Sequence, residues 1–176
     1  MCIRDRVAFM AISFGFFFAI EKFKNSGVGV LLLLGFTFFM GLMLSRMIGA
    51  VLGMSNGAQL IATAFGGTGI VFVAMATLAS TMKRDLSGMG KWLTMGAIVL
   101  LLAIVANIFL KMPALMLTIS ALAVVIFSAF ILYDLKRVVD GGETNYVTAT
   151  LSIYLSVYNV FQSLLSILGI MGGNDD

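Results

Sequence analysis

The chain has 176 residues, of which 61% are hydrophobic and 11% charged, and its formal net charge is +3. Soluble domains carry roughly 45–50% apolar and about 25% charged residues, so this composition excludes a water-exposed globule and points to lipid as the solvent. With no histidine and a single cysteine, Cys2, it also excludes histidine-based metal sites, a Ser-His pair and an internal disulfide.

The opening residues 1–6, Met1-Cys2-Ile3-Arg4-Asp5-Arg6, are more polar than the stretch after them, and the apolar run from Val7 to Ile20 is only 14 residues long. A membrane span takes about 20 helical residues. We expect a non-native leader joined to a shortened first helix; a basic leader on a naturally short helix is the alternative. A signal peptide does not fit, because Glu21-Lys22 closes the run without a small-residue cleavage site. Longer apolar runs lie at 28–53, 58–82, 92–110, 112–133 and 146–170. The expected fold is all-α: one bundle of six transmembrane helices over 7–171, with a short polar tail, 172–176. Connections this short force neighbouring helices antiparallel.

Lys22, Lys24, Lys83, Arg84, Lys91, Lys136 and Arg137 fall in alternate connections, against Arg46 and Lys111 on the other side. Positive loops stay in the cytoplasm. The expected location is therefore a plasma membrane, crossed several times, with the C-terminus outside. Gly49 and Gly53 form a GxxxG pair, and Gly66, Gly67 and Gly69 flank Thr68 inside an apolar run. A nucleotide loop would need an adjacent Lys-Ser or a preceding strand, so these glycines read as close-packing positions between helices.

In the last helix Asn145, Thr148, Ser152, Ser156, Asn159, Ser163 and Ser166 recur every three or four residues and share one face. Lipid would leave that face without hydrogen-bond partners, so it turns inward and the helix is central. Two readings stay open: interhelical hydrogen bonding, or the lining of a polar cavity. Asp134 ends its apolar run at the cytoplasmic side and is a candidate pH-sensing acid; a solvated carboxylate neutralised by Lys136 and Arg137 is the alternative. Asn107 reads as an interhelical hydrogen-bonding residue, and Arg46 as a cation snorkelling to the outer surface. The loop Asp140-Gly141-Gly142-Glu143-Thr144 lacks the ligand number of a calcium loop and reads as a turn. Nothing calls for a cofactor, a bound metal or a nucleic acid.

Several stretches together resemble the Bax inhibitor-1 family. They are Lys83-Arg84-Asp85-Leu86-Ser87, Ala106-Asn107-Ile108-Phe109-Leu110, Leu132-Tyr133-Asp134, Gly141-Gly142-Glu143-Thr144-Asn145-Tyr146 and the closing helix from Leu151 to Gly169. The likeness is nearest to the bacterial YccA-like branch, and runs from about Val28 to the C-terminus. It implies a seven-helix bundle with the last helix surrounded by the others, and a chain here lacking the family's N-terminal tail and first helix. In members that leak calcium, two aspartates on the last two helices sense pH. Asp134 matches the first; the second falls on Ser156, which has no carboxylate. One acid cannot titrate as a coupled pair. The YccA-like branch implies instead a partner, the membrane protease FtsH, and restraint of its action in the bacterial inner membrane. A pH-sensitive calcium leak is the alternative. An enzyme is not expected: an aspartyl type needs two membrane acids, and a serine type needs a base. A secondary transporter fits poorly, since no internal repeat is evident.

Overall fold

The structure, a computed structural model, describes residues 3–173. Six helices succeed one another: α1 (Ile3–Phe23), α2 (Gly27–Leu52), α3 (Gly57–Thr81), α4 (Met89–Leu110), α5 (Pro113–Val139) and α6 (Tyr146–Gly172). Of these, α2 to α6 are long and apolar enough to cross a membrane. The chain is a helical bundle of the transmembrane kind. Of the expected leader and tail, residues 1, 2 and 174–176 lie outside the described residues, while Arg4, Asp5 and Arg6 are helical within α1 and Gly172 within α6.

Hydropathy located each helix but stopped at the first charge. Thus α1 runs on through Glu21 and Lys22, and α5 continues six residues past Tyr133 to Val139. A helix tolerates charges that find partners. Lys136, buried within that extension, donates to the Met82 carbonyl at 2.6 Å and to Asp140 Oδ1 at 2.9 Å. Both acceptors are helix-terminal, since Met82 caps α3 and Asp140 caps α5. One cation thereby joins two helix ends, where carbonyls lack intrahelical donors.

Tight connections set the antiparallel order. Pro113 opens α5 at its first turn, where a missing N–H costs nothing. Lys111 closes α4 in the left-handed region, φ 51°, and Asn107 Oδ1 accepts from Met112 N–H at 3.1 Å across that corner. Asn107 therefore locks a turn between consecutive helices, rather than bonding across the bundle as expected; the free N–H of the corner is the nearer partner. Between α2 and α3, a Cβ on Gly57 would overlap the Val51 carbonyl, so the corner needs glycine.

The centre of the bundle is shared. Helix α6 packs on α5, α3 and α2, and α5 packs on α6, α3 and α4, while α1 leans chiefly on α2 and α4 on α5. Only Tyr146, Thr150, Gln162 and Met171 of α6 are exposed, which fits the central place expected for the last helix. Around it lie a cluster of Ile20, Leu33, Phe36, Met40, Val147 and Leu151, and a second of Val51, Ala64 and Leu165. Outward, Phe18 and Phe109 are 78% and 77% exposed. Such a surface is stable only against hydrocarbon.

The glycine expectations need correction. A Cβ on Gly49, Gly66 or Gly69 would meet nothing within 4 Å, and one on Gly53 only its own chain, at Ala50 and Gly49. Within this chain, then, no helix comes close over them. Gly67 alone of the group meets a neighbour, Leu164 Cδ1 at 3.3 Å. Another glycine, Gly90 on α4, is the one that Tyr133 of α5 crowds. A Cβ on Gly90 would stand 2.6 Å from the Tyr133 hydroxyl oxygen and 2.8 Å from its Cζ.

Candidate functional site

Asp134 sits about one and a half turns before the end of α5, just where the helix meets the first turns of α4. It is 9% exposed and lines an open recess of about 710 Å³, together with Ser87, Gly90, Lys91, Thr94, Tyr133 and Arg137 among others. Among the described residues its carboxylate forms no ion pair. The two cations expected to neutralise it are engaged elsewhere. Lys136 holds Asp140 and Met82, and Arg137 pairs with Glu143 at 3.3 Å while its guanidinium lies over the Tyr133 ring, 5.6 Å from the centroid. Asp134 is thus buried without an ion pair, while Arg137 stays close enough to act on it across the recess. Lys136 is two residues along and so points about 200° round the helix, and the turn after α5 captures Arg137.

Gly90 shapes this recess, because its missing side chain admits Tyr133 against α4. A smaller recess of about 200 Å³ shares Ser87, Tyr133 and Arg137 with it and reaches Asp85. There the Ser87 N–H donates to Asp85 Oδ1 at 2.9 Å. Hydrogen bonds from Ser87 hold the Asp85 carboxyl below the usual carboxylate range. Sequence alone did not single out Ser87, Lys91, Thr94 and Tyr133 as one site. No periodic signal marks them, since they come from a loop and two helices brought together only by the fold.

The polar face of α6 divides into three parts. At its start Asn145 caps the helix, its Oδ1 accepting from Val147 N–H at 3.0 Å and Thr148 N–H at 3.1 Å. Its Nδ2 donates to the Lys24 carbonyl at 3.2 Å and to Asn25 Oδ1 at 2.8 Å, tying α6 to the α1–α2 corner. Thr148 donates its hydroxyl to the same Asn145 oxygen at 3.4 Å. In the middle, Ser152 is half-buried and Ser156 buried, at 4% exposure. Beyond, Ser120 Oγ of α5 donates to Ser166 Oγ at 3.3 Å. Asn159, Ser163 and Ser166 also line a recess of about 260 Å³ beside Ser120, Gln162 and the apolar faces of α4 and α5. Both readings of the face therefore have a place: a hydrogen bond between helices at Ser166, and a cavity wall at Asn159 and Ser163.

The Ser120–Ser166 pair also gives the register of α5 against α6. Counting 14 residues onward along α5 and 14 back along the antiparallel α6 puts Ser152 about level with Asp134, and Ser156 about one turn deeper. The last helix thus brings hydroxyls to the level of Asp134, with no second carboxylate there. Among the described residues no three His, Cys, Asp or Glu side chains cluster as a metal site would require.

The sequence of this helical bundle matches one family. Its model, described as "Inhibitor of apoptosis-promoting Bax1", matches residues 5–173. The chain belongs to the Bax inhibitor-1 family. Similar members include an uncharacterized protein of Neisseria meningitidis serogroup A, 40% identical over 94% of this chain and 73% of that protein. A membrane protein of Vibrio cholerae is 43% identical over 90% of this chain and 71% of its own length. The protein named modulator of FtsH protease YccA, from Escherichia coli K12, is 42% identical over 89% of this chain and 71% of its length. As a Bax inhibitor-1 member, the chain presents one buried acid at the recess by α4 and hydroxyls on the last helix at its level.

Proposed function

We propose that this Bax inhibitor-1 member is a regulator that binds a membrane protease of the FtsH type in the bacterial inner membrane and restrains it. The observation that carries this reading is the 42% identity, over 89% of the chain, to the relative named modulator of FtsH protease. A relative of the same identity from another Escherichia coli strain is named an inner membrane protein, which supports the location. The basic connections face the cytoplasm on this reading, and the end of α6 faces the periplasm. The protein catalyses no reaction of its own. Its buried acid stands alone where acid catalysis on a peptide would take two, and the sequence has no histidine to activate a serine.

The test is co-purification of the chain with FtsH from solubilised membranes, alongside the turnover of an FtsH substrate in cells. Binding with slowed turnover is expected. Absence of both would remove the proposal.

One observation favours a second reading, a cation leak. Asp134 is buried, unpaired and open to a recess, which is how an ion-attracting or proton-binding carboxylate would be placed. Calcium flux into liposomes, compared with the Asp134→Asn variant, separates the two. Flux that disappears in the variant would favour the leak; no flux at any pH would dismiss it.

A further inference from the structure

Arg46 is the one charged residue of α2, and α2 is a 26-residue span. It lies six residues before the end of the helix at Leu52, about 9 Å at 1.5 Å per residue. Upright, a helix of that length overhangs a hydrocarbon core of about 30 Å by roughly 4–5 Å at each end. The Arg46 backbone is then about 4–5 Å inside the hydrocarbon, a depth from which the guanidinium reaches the phosphate level by extending along the helix.

It does not extend over a smooth surface. Arg46 lines an open recess of about 460 Å³ walled by Phe9 of α1, by Met40, Met43 and Met47 of α2, and by Tyr158, Asn159 and Gln162 of α6. The recess lies between α1, α2 and α6, where Tyr158 and Asn159 are half-buried and Gln162 is exposed. It adjoins the recess of about 260 Å³ that Ser163 and Ser166 line, since Met47, Asn159 and Gln162 border both. Among the described residues Arg46 has no ion-pair partner. Asp5, one turn from Phe9 on α1, forms no ion pair with it and does not line the recess. An unpaired cation at the lip of a groove with a thioether and aromatic wall suits an amphiphile that is anionic at one end and apolar along its length.

We propose that Arg46 and this groove bind one phospholipid, its anionic headgroup on the guanidinium and an acyl chain along the Met40–Met43–Met47 wall. The exposed Gln162 amide borders the groove deeper than Arg46, where the ester oxygens of such a lipid need a donor. A cation that merely snorkels to the bulk interface would hold no lipid through purification. A built site retains one.

The test uses the whole 176-residue chain, purified in detergent and stripped of lipid. Phosphatidylglycerol, zwitterionic phosphatidylcholine and inorganic phosphate are added separately. Retained lipid is read by native mass spectrometry and the unfolding midpoint by a thermal melt. One phosphatidylglycerol per chain should be retained and raise the midpoint, and Arg46→Gln should weaken its retention at least about tenfold. Arg46→Lys should fall between, because an ammonium keeps the charge and loses the two-pronged geometry. Lys111→Gln, the other cation expected at this end, should change nothing. Should Arg46→Gln fail to fold, Met43→Trp, which fills the groove and keeps the charge, should also reduce retention. Equal retention by the parent, Arg46→Gln and Met43→Trp would overturn the site. Equal retention of phosphatidylcholine would overturn the anionic headgroup, and stabilisation by inorganic phosphate alone would overturn the lipid.

Discussion

At Asn145 a single amide serves two neighbours at once. Its oxygen satisfies two free N–H groups at the start of α6, and its nitrogen holds the α1–α2 corner through Lys24 and Asn25. The roles separate by substitution. Asn145→Ala removes both, and loss of the cap alone costs about 1 kcal/mol; the expected destabilisation is about 1–3 kcal/mol with the corner bonds included. Asn145→Asp keeps a capping oxygen and loses the donor, so it should fall between the parent and the alanine variant. Denaturant unfolding in detergent measures both, and an aspartate variant no better than alanine would refute the split. Gly90 offers a sharper steric case. Gly90→Ala drives a Cβ into the Tyr133 ring and should cost about 1–3 kcal/mol, as overpacking does. Tyr133→Leu, made in the Gly90→Ala background, should recover most of that loss, and no recovery would mean that the strain lies elsewhere.

Between elements, the contacts that matter most are those that hydropathy cannot see. Five helices, α2 to α6, were legible as long apolar runs and α1 as a shorter one, and the central place of α6 because its hydroxyls and amides share one face. Their ends were not. A hydropathy reading ends α5 near Tyr133, yet Lys136 is buried and spans from α5 to the carbonyl of Met82 at the end of α3. Asn107 and four of the five glycines, all but Gly67, failed for a related reason. A sequence shows that a residue is polar or small, and only the packing shows whether its partner is a turn, a neighbouring helix or lipid. The Asp134 recess was half legible: the acid stood out in an apolar run, but Gly90, Thr94 and Tyr133 gave no sign of meeting it. For the α5–α6 seam, the Ser120–Ser166 bond should be worth little. Interhelical hydrogen bonds in membranes average about 0.6 kcal/mol. A double-mutant cycle of Ser120→Ala and Ser166→Ala should give a coupling of about that size; several kcal/mol would make the bond a structural anchor and not one wall of a cavity.

For the whole molecule, the two ends differ in kind. One end gathers the α1–α2, α3–α4 and α5–α6 connections, with Lys24, Lys83, Arg84, Lys136 and Arg137, and the Asp134 recess opens beside it. The opposite end holds the α2–α3 and α4–α5 corners, with Lys111 on the latter and Arg46 in the groove below the former. Basic loops are retained on the cytoplasmic side, so charge asymmetry sets the direction of insertion and thereby which recess faces the cytoplasm and which the periplasm. Single cysteines decide it. With Cys2 replaced by serine, Ser87→Cys and Thr144→Cys should react with a membrane-impermeant maleimide only after the cytoplasmic face is opened. Asn56→Cys and Met112→Cys should react in intact cells whose outer membrane has been made permeable. Both corners are tight, and Asn56 is half-buried, so Ser55→Cys serves as a second position in the α2–α3 connection. The reverse pattern would invert the orientation and place Asp134 on the periplasmic side. A mixed pattern, with positions at one end labelled from both sides, would show that the helices do not all cross, and the even antiparallel order itself would have to go.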